Sequence, residues 1–130
     1  MLSKKVIKIA TETRLWAEKH EYAFHADLKC MCAIASAELF KRLKNEKYEP
    51  QLHVAIHGIG GSHVYVYLNN YIIDITATQF AHKEKVVIKR KIPFTIFNWY
   101  WRANKKFKSV KKLIEFQHKT GWSKNQTATL

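Results

Sequence analysis

The segment HVYVYLNNYIIDIT, residues 63–76, limits what this chain can become more than any other stretch. His63–Leu68 and Tyr71–Thr76 are dense in β-branched and aromatic residues, and Asn69-Asn70 between them fits a hairpin turn. The second arm carries an anomaly. Asp74 stands in the apolar run Tyr-Ile-Ile-Asp-Ile, where a carboxylate is costly to bury without a partner. Pairing about Asn69-Asn70 puts Val66 or Tyr65 opposite Ile73–Asp74, which leaves His63 one or two cross-strand neighbours from Asp74. An imidazole held in one tautomer by that carboxylate would satisfy it.

The rest of the chain supplies helices to cover such a ribbon. Leu2, Val6, Ile9, Ala10, Thr13, Trp16 and Ala17 recur at helical spacing, so residues 3–19 read as an amphipathic helix. The stretch HEYAFHADLK reads as a loop, and Asp27 as the N-cap of a second helix running to about Asn45. Past Glu49-Pro50, residues 52–57 alternate as a strand, and Gly58–Ser62 form a turn. Val86–Ile88 and a stretch near Ile92–Phe97 suggest one or two further strands. Asn104–Thr120 has the spacing of a last helix stopped by Gly121. The expected architecture is α+β: helices packed on an antiparallel sheet, with a C-terminal helix, in one domain spanning 1–130. The polar tail Ser123–Leu130 has no period.

The cysteines are two: Cys30 and Cys32, in Cys30-Met31-Cys32. They lie too close for an ordinary structural disulfide, which argues for a reducing compartment, most simply the cytoplasm. A secretory signal needs about 7–15 unbroken apolar residues and a membrane span about 20; Lys4, Lys5, Lys8 and Glu12 interrupt the N-terminal run. A thiol nucleophile needs a helix N-terminus or a cation to favour the thiolate, a base within reach, and a group that orients the base. Cys32 falls in the opening turns of the second helix on the face of Ser36, Leu39, Phe40 and Leu43. Cys30 falls above Ile34, Ala37 and Lys41, a mixed face. That asymmetry selects Cys32 as nucleophile, with His63 as base and Asp74 as orienting carboxylate.

The order of these motifs resembles the transglutaminase-like branch of the papain-like superfamily. The matching pieces are Cys32-Ala-Ile-Ala-Ser-Ala-Glu-Leu-Phe, then Ser62-His63-Val-Tyr-Val, then Ile73-Asp74-Ile-Thr76, over about residues 27–80. Asp74–Phe80 also resembles an Asp-x-Thr-Ala-Thr-Gln-Phe segment of small bacterial and phage proteins. The resemblance implies a thiol hydrolase or acyl transferase (peptidase, amidase or deamidase type) that works through an acyl-enzyme on a protein or peptide substrate, with no cofactor. Papain-like enzymes place an oxyanion-hole Gln ahead of the nucleophile, and here no Gln precedes Gln51. The Cys32 backbone N–H would need a second donor, for which Gln79, Tyr22 and His25 are candidates. The extra barrels of large transglutaminases are lacking, so cross-linking does not follow.

Charge points in a second direction. The net charge is +13, and it is uneven. Residues 1–80 hold ten Lys/Arg against eight Asp/Glu, whereas 81–130 hold thirteen against Glu84 and Glu115 alone. A basic part of this kind attracts nucleic acid or an acidic protein face. Phe94, Phe97, Trp99, Tyr100 and Trp101 precede Arg102, Lys105, Lys106, Lys108, Lys111 and Lys112, and aromatics followed by cations can stack bases and hold phosphates. No nucleic-acid motif accompanies them. The alternative function is therefore a non-catalytic basic interaction protein, such as a phage-encoded inhibitor that binds nucleic acid or an acidic host protein. The same lysines could also recruit an acidic target to an enzyme. Metal is not expected: His53 and His57 share a strand face, read as solvated, and neither Cys-x-x-Cys nor His-Glu-x-x-His is present.

Overall fold

The computed structural model describes residues 2–57, 61–80, 83–90 and 105–120. Along the chain come α1 (Lys4–Glu18), α2 (Cys32–Asn45), β1 (Gln51–His57), β2 (Gly61–Leu68), β3 (Tyr71–Asp74), a 3-10 turn (Ala77–Phe80), β4 (Val87–Arg90), β5 (Lys105–Phe107) and α3 (Val110–Thr120). The described residues thus form an α+β fold of three helices and an antiparallel five-stranded sheet, ordered β4-β3-β2-β1-β5. The expected strand near Ile92–Phe97, the five aromatics from Phe94 to Trp101, Arg102, the stop at Gly121 and the tail Ser123–Leu130 lie outside the described residues.

α1 begins where Ser3 accepts a hydrogen bond from the Val6 amide at 3.3 Å, an ordinary side-chain N-cap. It buries Val6, Ala10, Thr13 and Ala17, the stripe that its helical spacing predicts. α2 departs from expectation at its start. Asp27 does not cap it; Asp27 Oδ1 accepts from the Lys29 amide at 3.0 Å and folds a local turn instead. Leu28 (φ 59°) and Cys30 (φ 68°) then take left-handed backbone, which cannot continue into an α-helix, so α2 starts only at Cys32. Its far end closes with the Lys47 amide on the Lys44 carbonyl and the Tyr48 amide on the Leu43 carbonyl. Lys47, at φ 70°, stands where glycine is usual.

The β2–β3 hairpin pairs Val66 with Ile73, Tyr67 with Ile72 and Leu68 with Tyr71. Asn69 (φ 50°) and Asn70 (φ 68°) supply the two left-handed positions that a tight hairpin turn demands. β3 stops at Asp74, two residues earlier than the sequence suggests, because Asp74 Oδ1 takes the Thr76 amide at 2.8 Å and turns the chain. The last expected helix is also shortened. Lys105–Phe107 is a strand on the free edge of β1, with Leu52 opposite Phe107 and His53 opposite Lys106. Its Lys-Lys-Phe sequence has little preference of its own; pairing with β1 and the contact of Phe107 with Phe116 at 5.4 Å decide it. α3 starts after Ser109, whose hydroxyl accepts from the Lys112 amide at 3.2 Å.

The main core gathers Val6, Ala10 and Ala17 of α1, Ile34, Leu39 and Leu43 of α2, Leu113 of α3, and the strand residues Leu52, Val54, Val64, Val66 and Ile73. Each large aliphatic side chain buried there contributes about 1.5–3 kcal/mol. The alternate strand residues form a second buried cluster on the other sheet face: Ala55, Tyr65, Ile72 and Val87, joined by Ala77.

Candidate functional site

The second face holds the polar residues. By strand alternation His53, His63, Tyr65 and Asp74 share it, and all four are buried. Val66 opposite Ile73 sets Tyr65 beside Asp74 and His63 one diagonal step further. From there the His63 Nε2–H donates to Asp74 Oδ2 at 2.5 Å, with both side chains fully buried. Oδ1, the other carboxylate oxygen, takes the Thr76 amide at 2.8 Å and the Thr76 hydroxyl at 3.3 Å. Both carboxylate oxygens are therefore committed, which makes an apolar strand tolerable for Asp74.

Cys32 reaches this pair from the helix layer. It is the first residue of α2 and is buried. One turn on, the Ser36 hydroxyl donates to the Val64 carbonyl at 3.1 Å, tying α2 to the residue after His63. Burial by itself disfavours a charged His63 ring. The Asp74 carboxylate, through charge and hydrogen bond, and then Cys32, through hydrogen bond and charge, outweigh it and push the pKa from 6.5 up to about 10. With Nε2 on the carboxylate, the ring nitrogen that can meet the thiol is Nδ1. Asp74 thus holds the His63 ring by hydrogen bond, and Cys32 lies near enough to the same ring to favour its charged form. Cys30 is exposed and lies outside the helix, so the start of α2 at Cys32, rather than a helical face, separates the two cysteines.

The surroundings are aromatic. Phe80, from the 3-10 turn, meets the His63 ring edge to face with centroids 4.7 Å apart, and is itself 38% exposed. Tyr65, two residues along the same strand, has its ring centroid 6.1 Å from that of His63, and burial together with the Asp74 charge pushes its phenol well above the ordinary value. His53 is not on a solvated face. Its ring stacks on Tyr67 at 4.5 Å, and its Nε2 lies 2.9 Å from Gln51 Oε1. Among the described residues no three His, Cys, Asp or Glu side chains are grouped to hold a metal ion.

Of the three candidate second oxyanion donors, Gln79 has a side-chain hydrogen bond, and Tyr22 and His25 lie on the exposed stretch ahead of α2. Gln79 Nε2 donates to the Thr76 hydroxyl at 3.2 Å, so it supports Asp74 at one remove. Tyr22 is 41% exposed and packs on His20 and Phe24. His25 is exposed, and its carbonyl accepts from the Leu28 amide. α2 has no side-chain cap and no acidic residue in its first turn, so the positive end of the helix beside Cys32 is not neutralised.

Sequence reasoning missed Arg14, Thr78 and Phe80. Arg14 had a readable signal: it falls four residues after Ala10, on the stripe that faces the core, where a solvated arginine does not belong. Thr78 and Phe80 fall in the Asp74–Phe80 segment singled out by resemblance, which assigned neither of them a role. Of the basic residues, Lys105, Lys106, Lys108, Lys111 and Lys112 are exposed on β5, the following bend and the first turn of α3. Lys112 pairs with Glu115 at 3.4 Å. Among the described residues no helix is long and apolar enough to cross a membrane. No protein-family model, curated protein or solved structure matches this chain.

Proposed function

We propose that this chain is a thiol-dependent hydrolase or acyl transferase of the transglutaminase-like, papain-like kind. The observation that carries the reading is the buried His63–Asp74 contact of 2.5 Å with Cys32 bearing on the same ring. A fully buried imidazole and carboxylate cost stability unless they serve each other, and together they make a proton acceptor held in one orientation.

In this reading the proton of the Cys32 thiol already rests on His63, and Sγ attacks the carbonyl carbon of an amide or ester. The C–N or C–O bond then breaks, the leaving group takes the proton from His63, and the acyl group stays on sulfur as a thioester. Water or an amine attacks the thioester carbonyl, gives its proton to His63 as the C–S bond breaks, and so restores the starting Cys32–His63 pair. Asp74 stabilises the imidazolium through both half-reactions. The positive end of α2 and the Cys32 amide favour the oxyanion. The substrate class is a protein or peptide, the two close thiols fit a reducing cytoplasm, and no cofactor enters the chemistry.

Two measurements test this. Iodoacetamide at neutral pH, followed by peptide mapping, should alkylate buried Cys32 far faster than exposed Cys30. p-Nitrophenyl acetate should leave an acetyl group on Cys32, and Cys32→Ala should abolish it. Equal, slow labelling of both cysteines sinks the reading.

A second reading rests on the exposed lysines of β5 and α3: a basic interaction protein that binds a polyanion without catalysis. It expects retention on heparin that falls steeply with salt, weakens in a Lys105→Glu/Lys106→Glu/Lys111→Glu variant, and is unchanged in Cys32→Ala.

A further inference from the structure

Arg14 is 2% exposed, a buried cation one turn before the end of α1 and outside the thiol–imidazole–carboxylate array. Such a group persists only where its donors are satisfied. Its Nη1 donates to the Ile75 carbonyl at 2.9 Å and to the Thr78 hydroxyl at 2.9 Å, and its Nε donates to Glu18 at 3.2 Å. Glu18 is held in turn by Lys85 at 3.0 Å. The Thr78 hydroxyl, having accepted from Arg14, donates its own proton to the Asp27 carbonyl at 2.8 Å.

Those contacts fall on two particular stretches of chain. Ile75 and Thr78 belong to the turn that follows Asp74. Asp27 opens the lead-in to Cys32, in which Leu28 and Cys30 sit in left-handed backbone that neither prefers. A lead-in held against its own conformational preference needs an external anchor. One guanidinium and one hydroxyl connect that lead-in to the Asp74 turn and to α1. Exposed surface pairs such as Lys5–Glu46 do nothing comparable.

We propose that Arg14 is a positioning residue, which through Ile75, Thr78 and Asp27 holds the Asp74 turn and the approach to Cys32 in mutual register. The proposal rests on the thiol-enzyme reading. Arg14 touches none of the reacting atoms and acts through the backbone that carries them, where displacement of about 1 Å costs up to about a hundredfold in rate.

The experiment is the pH profile of Cys32 alkylation by iodoacetamide in the full chain, with Cys30 in the same molecule as internal reference. It compares wild type, Arg14→Met, Arg14→Lys, Thr78→Val and Thr78→Ser, each checked for native circular dichroism. Arg14→Met and Thr78→Val should slow Cys32 about tenfold or more and draw its pH profile toward that of Cys30. Thr78→Ser, which keeps the hydroxyl, should restore the wild-type profile, and Arg14→Lys, which lacks the fork, should fall between. A folded Arg14→Met and Thr78→Val with unchanged Cys32 rate and profile overturn the positioning role. If Arg14→Met does not fold, the Thr78→Val and Thr78→Ser pair decides, and equal rates overturn it. A wild-type Cys32 no faster than Cys30 overturns the enzyme reading and this role with it, whereas a fast wild-type Cys32 unaffected by the variants overturns the role alone.

Discussion

The two faces of the sheet are built from the same strands, one residue out of step, yet they are stabilised by different physics. Toward α2 stand Leu52, Val54, Val64, Val66 and Ile73, which need only to leave water and fill space. On the other side stand His53, Tyr65, His63 and Asp74, equally buried, each of which needs a specific partner at a specific distance. The first face tolerates conservative change in proportion to volume. Its counterpart is all or nothing, because removing one partner strands the other in a dry place. A chain that only had to fold could have used aliphatic residues on both faces. Keeping a histidine and a carboxylate 2.5 Å apart at zero exposure argues for chemistry.

The comparison can be broken experimentally, beginning with the largest effect. His63→Gln should lower the rate of Cys32 alkylation at neutral pH by about a hundredfold or more, the scale of a lost acid–base partner. A rate within a factor of about three of wild type would show that the polar face does not activate the thiol. Asp74→Ala should then destabilise the fold by about 3–5 kcal/mol in urea denaturation, since it leaves the His63 ring buried without its carboxylate. A cost under about 1 kcal/mol would reduce the polar face to the status of an exposed pair.

A pH series sharpens the contrast. The folded His63 holds its proton up to about pH 10, against 6.5 for an ordinary ring, so folding favours the protonated form. Its contribution to stability is complete below pH 6.5 and is lost as pH rises through about 10. The melting temperature of the wild type should therefore fall across that window, more steeply than that of His63→Gln. Parallel curves for the two proteins would remove the coupling. The smallest effect belongs to the aliphatic face: Ile73→Val, adjacent to Asp74 but pointing at α2, should cost about 0.5–1.5 kcal/mol at every pH and leave Cys32 alkylation unchanged. A changed alkylation profile in this variant would mean that the two faces are not independent.

Much of this arrangement is legible in the chain. The hairpin could be read because Asn69-Asn70 and the β-rich arms on either side agree, and local signals that agree are the reliable ones. That turn put His63 one or two cross-strand neighbours from Asp74, and the pairing of Val66 with Ile73 makes the relation diagonal. The start of α2 could not be read, because an Asp followed by an amphipathic run looks like a cap, while the left-handed turns at Leu28 and Cys30 are imposed against local preference. β5 was hidden for a related reason. Three residues of indifferent propensity become a strand only because β1 offers an unpaired edge.

Sequence alone determined the main periodic elements, the hairpin and its turn, and the need of Asp74 for a partner, since these depend on side-chain period, turn chemistry and the cost of burying charge. Tertiary structure alone decided that Cys32 opens its helix, that Arg14 ties the Cys32 lead-in to the Asp74 turn, and that Phe80 lies against His63. The Arg14 and Thr78 bonds join segments 51 to 64 residues apart, for which no local rule exists; only packing against the sheet brings their atoms within hydrogen-bonding range.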